Sequence, residues 1–442
     1  MGIDPVAIAA NMARPVSSFE SMFPLLPYVA RDHAGADREP PIDCGKPFID
    51  LPDDWPAKPD WTLSAATNKI AGTIFPGETM SIAPVDLIRP EPLPRPEQVD
   101  PAWLNEILGD KAGNIAALDV TPVGAGQIGE TARFAIRYAE GQSGPASLIG
   151  KFASLDPASR DVARGWSLYE REVRFYDELA HRARIATPLY YGARLDPDGG
   201  FVLLLEDLAP ASPGDQFKGL PPAEMKQAVV EAARLHAAFW NADADPGLAW
   251  LDAGKIAQPF YQPEIFRATW PAFRDRYGAQ LEDRHLKVCD ALAEGYEGFA
   301  APLGSPRCVT HNDYRPDNML LSADGLTVVD WQSVALGWNA VDIAYLIGGA
   351  YSPADRQGIE SDLLDLYHRE LVVQGVGDFS LAQLRDDYRH FTFAGINVAV
   401  GAAMLVKRTE RGDRLFLTML DRFVSHVINQ DALSILRQSA GV

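Results

Sequence analysis

Apolar and polar positions divide the chain into three stretches of different character. Residues 1 to about 95 carry proline- and tryptophan-rich clusters (REPPID, LPDDWPAKPDW, RPEPLPRPE) with weak helical periodicity, which predicts an extended arm or a segment wrapping a neighbour. From Pro101 the pattern sharpens: PAWLNEIL predicts a short helix, DVTPVGAGQIGETARFAIRYA two strands joined by a glycine-rich turn, and PASLIGKFAS a third strand. A long helix is predicted over roughly 159–183, followed by strands at PLYYGARL and GFVLLLEDL. Five short strands with one inserted helix predict a small, largely antiparallel lobe over 96–207. From Pro221 the periodicity is mostly helical, in MKQAVVEAARLHAAFW and then near 263–300, 354–374, 381–407 and 413–437, so a helical lobe is predicted over 208–442. One stretch interrupts it, where short strands MLLS and TVVDW flank the turn ADG. The fold class is therefore α+β, with a small antiparallel-sheet lobe, a mostly helical lobe and an N-terminal extension.

The polar residues that break this pattern carry the chemistry. On the wheel of the 159–183 helix, Leu168, Tyr169, Phe175, Tyr176 and Leu179 form one apolar face, and Glu172 falls at its centre, while Glu170, Arg171, Arg174, Asp177 and Glu178 lie elsewhere. A carboxylate turned into a core is costly unless paired. Lys151, at the end of the strand SLIGK, is the natural partner, because the helix would stack behind that strand. Taken alone, a lysine at a strand end reads as a solvated surface residue. Gly124, Gly126 and Gly129 lie between two strands, where they suit either close approach to phosphate oxygens or an ordinary hairpin. The exit of GFVLLLEDL, at Glu206, Asp207 and Leu208, sits between the two halves. Its backbone groups at Glu206 and Leu208 suit a purine edge, and a plain inter-lobe linker accounts for them too.

The most informative stretch is Val309 to Trp331, VTHNDYRPDNMLLSADGLTVVDW, which sets His311, Asp313, Asn318 and Asp330 in one short arc. Phosphoryl transfer needs such a set: one carboxylate to orient a hydroxyl, and an amide and a second carboxylate to hold magnesium on ATP. Asp313 is the candidate base, and Asn318 and Asp330 are hard oxygen ligands suited to Mg2+. Asp317 is expected to be solvated or a turn cap. His311 is expected to pack the loop against the core, and Arg315 suits phosphate contact or loop pinning equally. Asp342, in GWNAVDIAYLI, is expected to be a helix N-cap. His236, on the apolar face of its helix, is expected to be a satisfied core histidine.

Composition narrows the partners. A formal net charge of -20 argues against nucleic acid and anionic membrane, which both need basic patches, and it permits a cationic substrate without requiring one. Three cysteines, Cys44, Cys289 and Cys308, form no C-x-x-C pair, so neither a disulfide framework nor a zinc site is indicated and a reducing compartment fits. The N-terminus MGIDPVAIAANMARPVSSF is a poor signal peptide. The uncharged run from Phe391 to Val406 is too short to span a membrane and is expected to be a buried helix. A cytoplasmic location is expected; the oligomeric state is not set by the sequence.

With these residues in hand, the chain resembles the aminoglycoside phosphotransferase and choline kinase-like superfamily, whose relatives are the eukaryotic protein kinases. HNDYRPDN is similar to that family's catalytic loop, VVDWQ to its metal-binding Asp segment and GWNAVDIAYLI to its Asp-led helix. SLIGK, YEREVRFYDEL and VLLLEDL are similar to its Lys strand, Glu helix and hinge, in order over roughly 101–440. DWQ and the tail LLDLYHRELVVQGVGDFSLAQLRDDYR look most like the ecdysteroid kinase-like branch, and HNDYR also occurs in kinase-like domains associated with acyl-CoA dehydrogenases. The resemblance implies a bilobal protein kinase-like fold and transfer of the γ-phosphate of ATP to a small-molecule hydroxyl. It implies Asp313 as base, Asn318 and Asp330 as Mg2+ ligands, and Lys151 with Glu172 at the phosphates. The expected acceptor is a steroid, terpenoid or aromatic alcohol, or else an aminoglycoside or amino alcohol, in a pocket for which Trp240, Trp250, Trp270 and Trp338 are available. The alternative is a nucleotide-binding pseudokinase acting as regulator or scaffold, against which the retention of Lys151, Glu172, Asp313, Asn318 and Asp330 argues.

Overall fold

The computed structural model describes residues 85–123, 129–252, 261–405 and 408–441. Helix α1 (Pro101–Leu108) starts where Asp100 accepts the Trp103 amide at 2.8 Å and Pro101 supplies a pre-set φ, and it ends at Gly109, whose φ of 51° suits glycine. Strands β1 (Ile115–Pro122), β2 (Gly129–Tyr138), β3 (Ser147–Ala153), β4 (Tyr190–Leu195) and β5 (Phe201–Glu206) form an antiparallel sheet in the order β1-β2-β3-β5-β4. Residues 85–98 lead into it: Ile88 bridges Leu195 on the edge strand β4, and the Arg89 amide donates to the Leu195 carbonyl at 2.8 Å.

The sheet is covered on both faces, which explains the unbroken apolar run of β5. Val202 and Leu204 pack with Phe134, Leu148 and Phe152 under Leu104, Ile107 and Leu108 of α1. Phe201, Leu203 and Leu205 face the other way, into the main core. Lys151 on β3 is paired in register with Thr131 and Leu203, so it too points to the main-core face.

Beneath that face the predicted long helix is broken in three. Helix α2 (Pro157–Gly165) ends before Ser167, which takes a left-handed φ of 49°; α3 (Leu168–Arg174) follows and widens into a π-turn over Phe175–Leu179, closed by the Ala180 amide on the Phe175 carbonyl at 2.8 Å. Tertiary contacts account for the breaks. Phe175 stacks flat on Trp331 at 3.6 Å, and Arg171, on the supposedly polar side of the wheel, is buried and donates to the carbonyls of Leu251 and Val334.

The rest is mostly helical: α4 (Pro222–Ala238), α5 (Pro263–Tyr277), α6 (Asp283–Glu294), α7 (Tyr296–Phe299), α8 (Ala340–Ala350), α9 (Pro353–Val373), α10 (Leu381–His390), α11 (Ala394–Leu405) and α12 (Glu410–Asn429). The helix expected over 263–300 is three, interrupted around Gly278 and at Gly295, and the one over 381–407 is two, divided by a 3-10 turn at Phe391–Phe393. Helix α8 is buried on all sides, as its nearly continuous apolar sequence requires, and forms the centre of this lobe. A short sheet of β6 (Ser212–Pro213), β8 (Met319–Ser322) and β9 (Gly325–Val328) and a pair β7 (Cys308–Thr310) with β10 (Ala335–Gly337) frame the Val309–Trp331 stretch. The fold is α+β and bilobal, of the protein kinase-like kind: an antiparallel five-stranded lobe and a helical lobe. No described helix is long and apolar enough to cross a membrane.

Candidate active site

The two lobes meet at Lys151. Its Nζ lies 2.5 and 2.6 Å from the carboxylate oxygens of Glu172 and 3.3 Å from Asp330 Oδ1. Glu172 is buried on α3, as the wheel predicts, and Lys151 reaches it from β3. Burial acts against the lysine's charge, but Glu172 and Asp330 outweigh it and hold the ammonium's pKa above the usual lysine value. Burial raises the Glu172 carboxyl, against the pull of Lys151.

The loop from His311 to Asn318 forms the floor. Asn318 turns its amide nitrogen to Asp313, donating at 2.9 Å to the Asp313 carbonyl and at 2.7 Å to its Oδ2. The Asn318 Oδ1 therefore points away and is buried without a hydrogen-bond partner among the described residues. Asp313 also meets Arg315 Nε at 3.0 Å, and its carboxylate retains lone pairs for a further donor. Burial, aided by the nearby Asp330 and opposed by Arg315 and Asn318, pushes the Asp313 carboxyl up to about 7. Asp330 holds a left-handed φ of 69° and Asn312 one of 62°, a conformation Asp and Asn tolerate better than most residues.

Several neighbours differ from expectation. Asp342 is not an N-cap: it sits inside the first turn of α8, fully buried, accepting the amides of His311 at 2.7 Å and Asn312 at 2.8 Å, with His236 Nε2 at 3.1 Å. Asp317 is not solvated: it accepts the Gln216 amide at 2.8 Å and Arg315 Nη1 at 2.7 Å. Arg315 is buried between two carboxylates, so it pins the loop. His311 packs as expected, its ring 4.7 Å from that of Trp331; Nδ1 accepts the Asp313 amide and Nε2 faces the Val329 carbonyl, which fixes the neutral tautomer, and burial lowers its pKa accordingly. His236 is satisfied by Tyr367 and Asp342.

At the hinge, Glu206 spends its amide on the Leu189 carbonyl at 2.9 Å, and the Leu208 carbonyl accepts the Ala211 amide. The Leu208 amide makes no hydrogen bond among the described residues. Asp207 anchors the hinge through Arg133 and Ser147. Gly124 and Gly126 lie outside the described residues. Trp270 is core, donating to Asp290; Trp250 lies under Arg174, Trp240 against Phe379 and Trp338 against Phe391.

The donor set fits Mg2+. An orphaned amide oxygen on Asn318 and a carboxylate on Asp330 are the kind of sparse protein ligation that leaves the remaining positions to water and phosphate. No cluster of three His, Cys, Asp or Glu able to hold a metal occurs among the described residues.

The model of the phosphotransferase enzyme family matches residues 122–373, more than half of the chain. The chain belongs to the phosphotransferase enzyme family. That match takes in the phosphotransferase's Lys151, Glu172, the His311–Asn318 loop and Asp330. Among solved structures, macrolide 2'-phosphotransferase from Brachybacterium faecium is similar at 18% identity and TM-score 0.40, over 72% of this chain and 95% of that one. Choline kinase from Cryptosporidium parvum is similar at 13% identity and TM-score 0.42, over 71% and 91%. An amicoumacin kinase in complex with AMP-PNP, Ca2+ and Ami is similar at 15% identity and TM-score 0.45, over 70% and 88%. These TM-scores lie below 0.5, and membership rests on the family match. No curated protein sequence matches the chain.

Proposed function

We propose that this phosphotransferase moves the γ-phosphate of ATP to a hydroxyl of a small molecule. The observation that carries the reading is the division of labour on Asn318: its nitrogen is spent on orienting Asp313, and its oxygen is buried and left over. That oxygen and the Asp330 carboxylate would hold Mg2+, which when bound would supply positive charge to the phosphates. Lys151, steadied by Glu172, would meet the phosphates. The Leu208 amide would donate to the purine edge. Asp313 would accept the acceptor hydroxyl's proton, and a carboxyl raised towards neutrality by burial suits that task.

The acceptor is proposed to be hydroxylated and fairly apolar, as in steroid, terpenoid or aromatic alcohols; an aminoglycoside or amino alcohol is the second class. The regulator reading gains no support, because each residue the enzyme reading requires within the described chain is present and connected. The test is purified protein with Mg-ATP and a broad panel of hydroxyl compounds, read by phosphate-ester formation. If no compound gains phosphate and Asp313→Asn leaves slow ATP hydrolysis unchanged, the reading fails.

A further inference from the structure

The two carboxylates Asp313 and Asp330 lie on one excursion of the chain. Strand β7 ends at Thr310 and β10 starts at Ala335, and these two residues pair antiparallel, so residues 311–334 leave and return through a single neck. Asp313 sits just past the neck on the outgoing arm, and Asp330 shortly before it on the returning arm. On one side of Asp330 the arms meet at Val329, whose amide donates to the Asn318 carbonyl at 3.0 Å and whose carbonyl faces His311 Nε2 at 3.1 Å. On the other side they meet at Ser333, and there the cross-tie is the side chain of Asn312.

Asn312 Nδ2 lies 3.0 Å from Thr310 Oγ1, 3.1 Å from the Ser333 carbonyl and 3.4 Å from the Thr310 carbonyl. The amide has two protons, and the two shorter contacts take them. The Ser333 carbonyl can only accept, and the Thr310 hydroxyl donates onward to the Ala335 carbonyl at 3.2 Å, so nitrogen is the amide atom that must face them. The Asn312 backbone amide is held by Asp342 at 2.8 Å. One residue thus joins α8, the arm that bears Asp313 and the arm that bears Asp330. Backbone conformation alone does not call for it. A φ of 62° suits glycine better than asparagine, and the asparagine leaves its Oδ1 buried with no hydrogen-bond partner among the described residues, a cost that glycine would avoid. What the side chain adds is the tie to Ser333. Asp330 itself holds a left-handed φ, so the aim of its carboxylate depends on what fixes the backbone on both sides.

We propose that Asn312 is a positioning residue for phosphate transfer: by tying the His311–Asn318 loop to Ser333 it fixes the distance between the Asp313 and Asp330 carboxylates, and so between the acceptor hydroxyl and the phosphate it attacks. This rests on the kinase reading above. Transfer depends steeply on that distance, whereas ATP binding at Lys151 and the hinge does not.

The test uses the full chain with Mg-ATP, read by ADP release to water and by phosphate-ester formation across the panel of hydroxyl compounds. Asn312→Gly is expected to lower kcat at least about tenfold, with KM for ATP held within about threefold. Calorimetry of Mg-ATP binding should match the wild type. The melting temperature in EDTA should stay close to it, because the Asp342 and Val329 contacts remain. Asn312→Asp, of the same shape but with an acceptor set against the Ser333 carbonyl, is expected to be slower still. Wild-type kcat in Asn312→Gly reduces the residue to its φ and overturns the proposal, as does wild-type kcat in Asn312→Asp. A clear fall in the melting temperature of Asn312→Gly, or a loss of Mg-ATP affinity as large as its loss of kcat, assigns the side chain to the fold or to nucleotide binding and overturns it too. A wild type that releases no ADP and phosphorylates nothing in the panel sinks the kinase reading instead, and the two failures are thereby told apart.

Discussion

Asp313 is a carboxyl group kept where water cannot stabilise its charge, and that placement has a thermodynamic signature. The folded chain holds its proton up to about 7, against an ordinary value of 3.8. Between those values the folded state binds a proton that the unfolded state has lost, so stability falls as pH rises through the window. In EDTA, Asp313→Asn is therefore expected to gain melting temperature relative to wild type between about pH 5 and pH 8; with Mg-ATP, its phosphate transfer is expected to drop roughly 10²- to 10⁴-fold. A variant that tracks the wild type across that range contradicts the burial argument. Lys151→Ala is expected to weaken ATP use and keep the fold. The Glu172 carboxyl, raised by burial, can then neutralise itself by taking up a proton. Its loss of stability, within about 3–5 kcal/mol, should be smaller at acid pH than at alkaline pH by thermal denaturation. Glu172 was legible in the sequence because a lone acid in an apolar stripe demands a partner. Asp342 was not, because a carboxylate near a helix start reads as a cap and its true partners lie on a distant loop.

At the scale of elements, α8 acts as the mount of the His311–Asn318 loop. Asp342→Ala would leave the buried amides of His311 and Asn312 without their acceptor, at a cost of roughly 1–3 kcal/mol each. A marked drop in melting temperature together with loss of transfer is expected, and Asp342→Asn, which keeps one acceptor oxygen, should lose less. If Asp342→Ala melts like the wild type, the mount is elsewhere. The strands were legible from period and turn residues, and so was the apolar face of the helix behind β3. Its breaks were not, since apolar spacing runs on through Trp166 and Leu168. The left-handed Ser167 and the π-turn answer to Trp331 and to the carbonyls of Leu251 and Val334, which belong to the other lobe.

Across the whole molecule, Asp330 is the shared point. It pairs with Lys151 from the small lobe and stands beside the orphaned Asn318 oxygen's loop in the large one. Its charge also adds to the burden on Glu172 and Asp313. Asp330→Asn is therefore expected to abolish Mg-dependent transfer without lowering the melting temperature in EDTA, and calorimetry of Mg-ATP binding should show at least about a tenfold loss. A strongly destabilised variant would assign Asp330 to the fold instead. The main core does not stop at the hinge: Leu203 and Leu205 of β5, Phe175 and Tyr176 below them, and Trp331, Ile343 and Phe423 of the helical lobe belong to one continuous apolar body. Two lobes by shape are thus one unit by cohesion. Cutting the chain at the hinge would bare a wide oily seam on each half, so neither piece should survive expression alone. A chimera joining the small lobe of one family member to the large lobe of another would need its seam repacked before it could inherit either parent's chemistry.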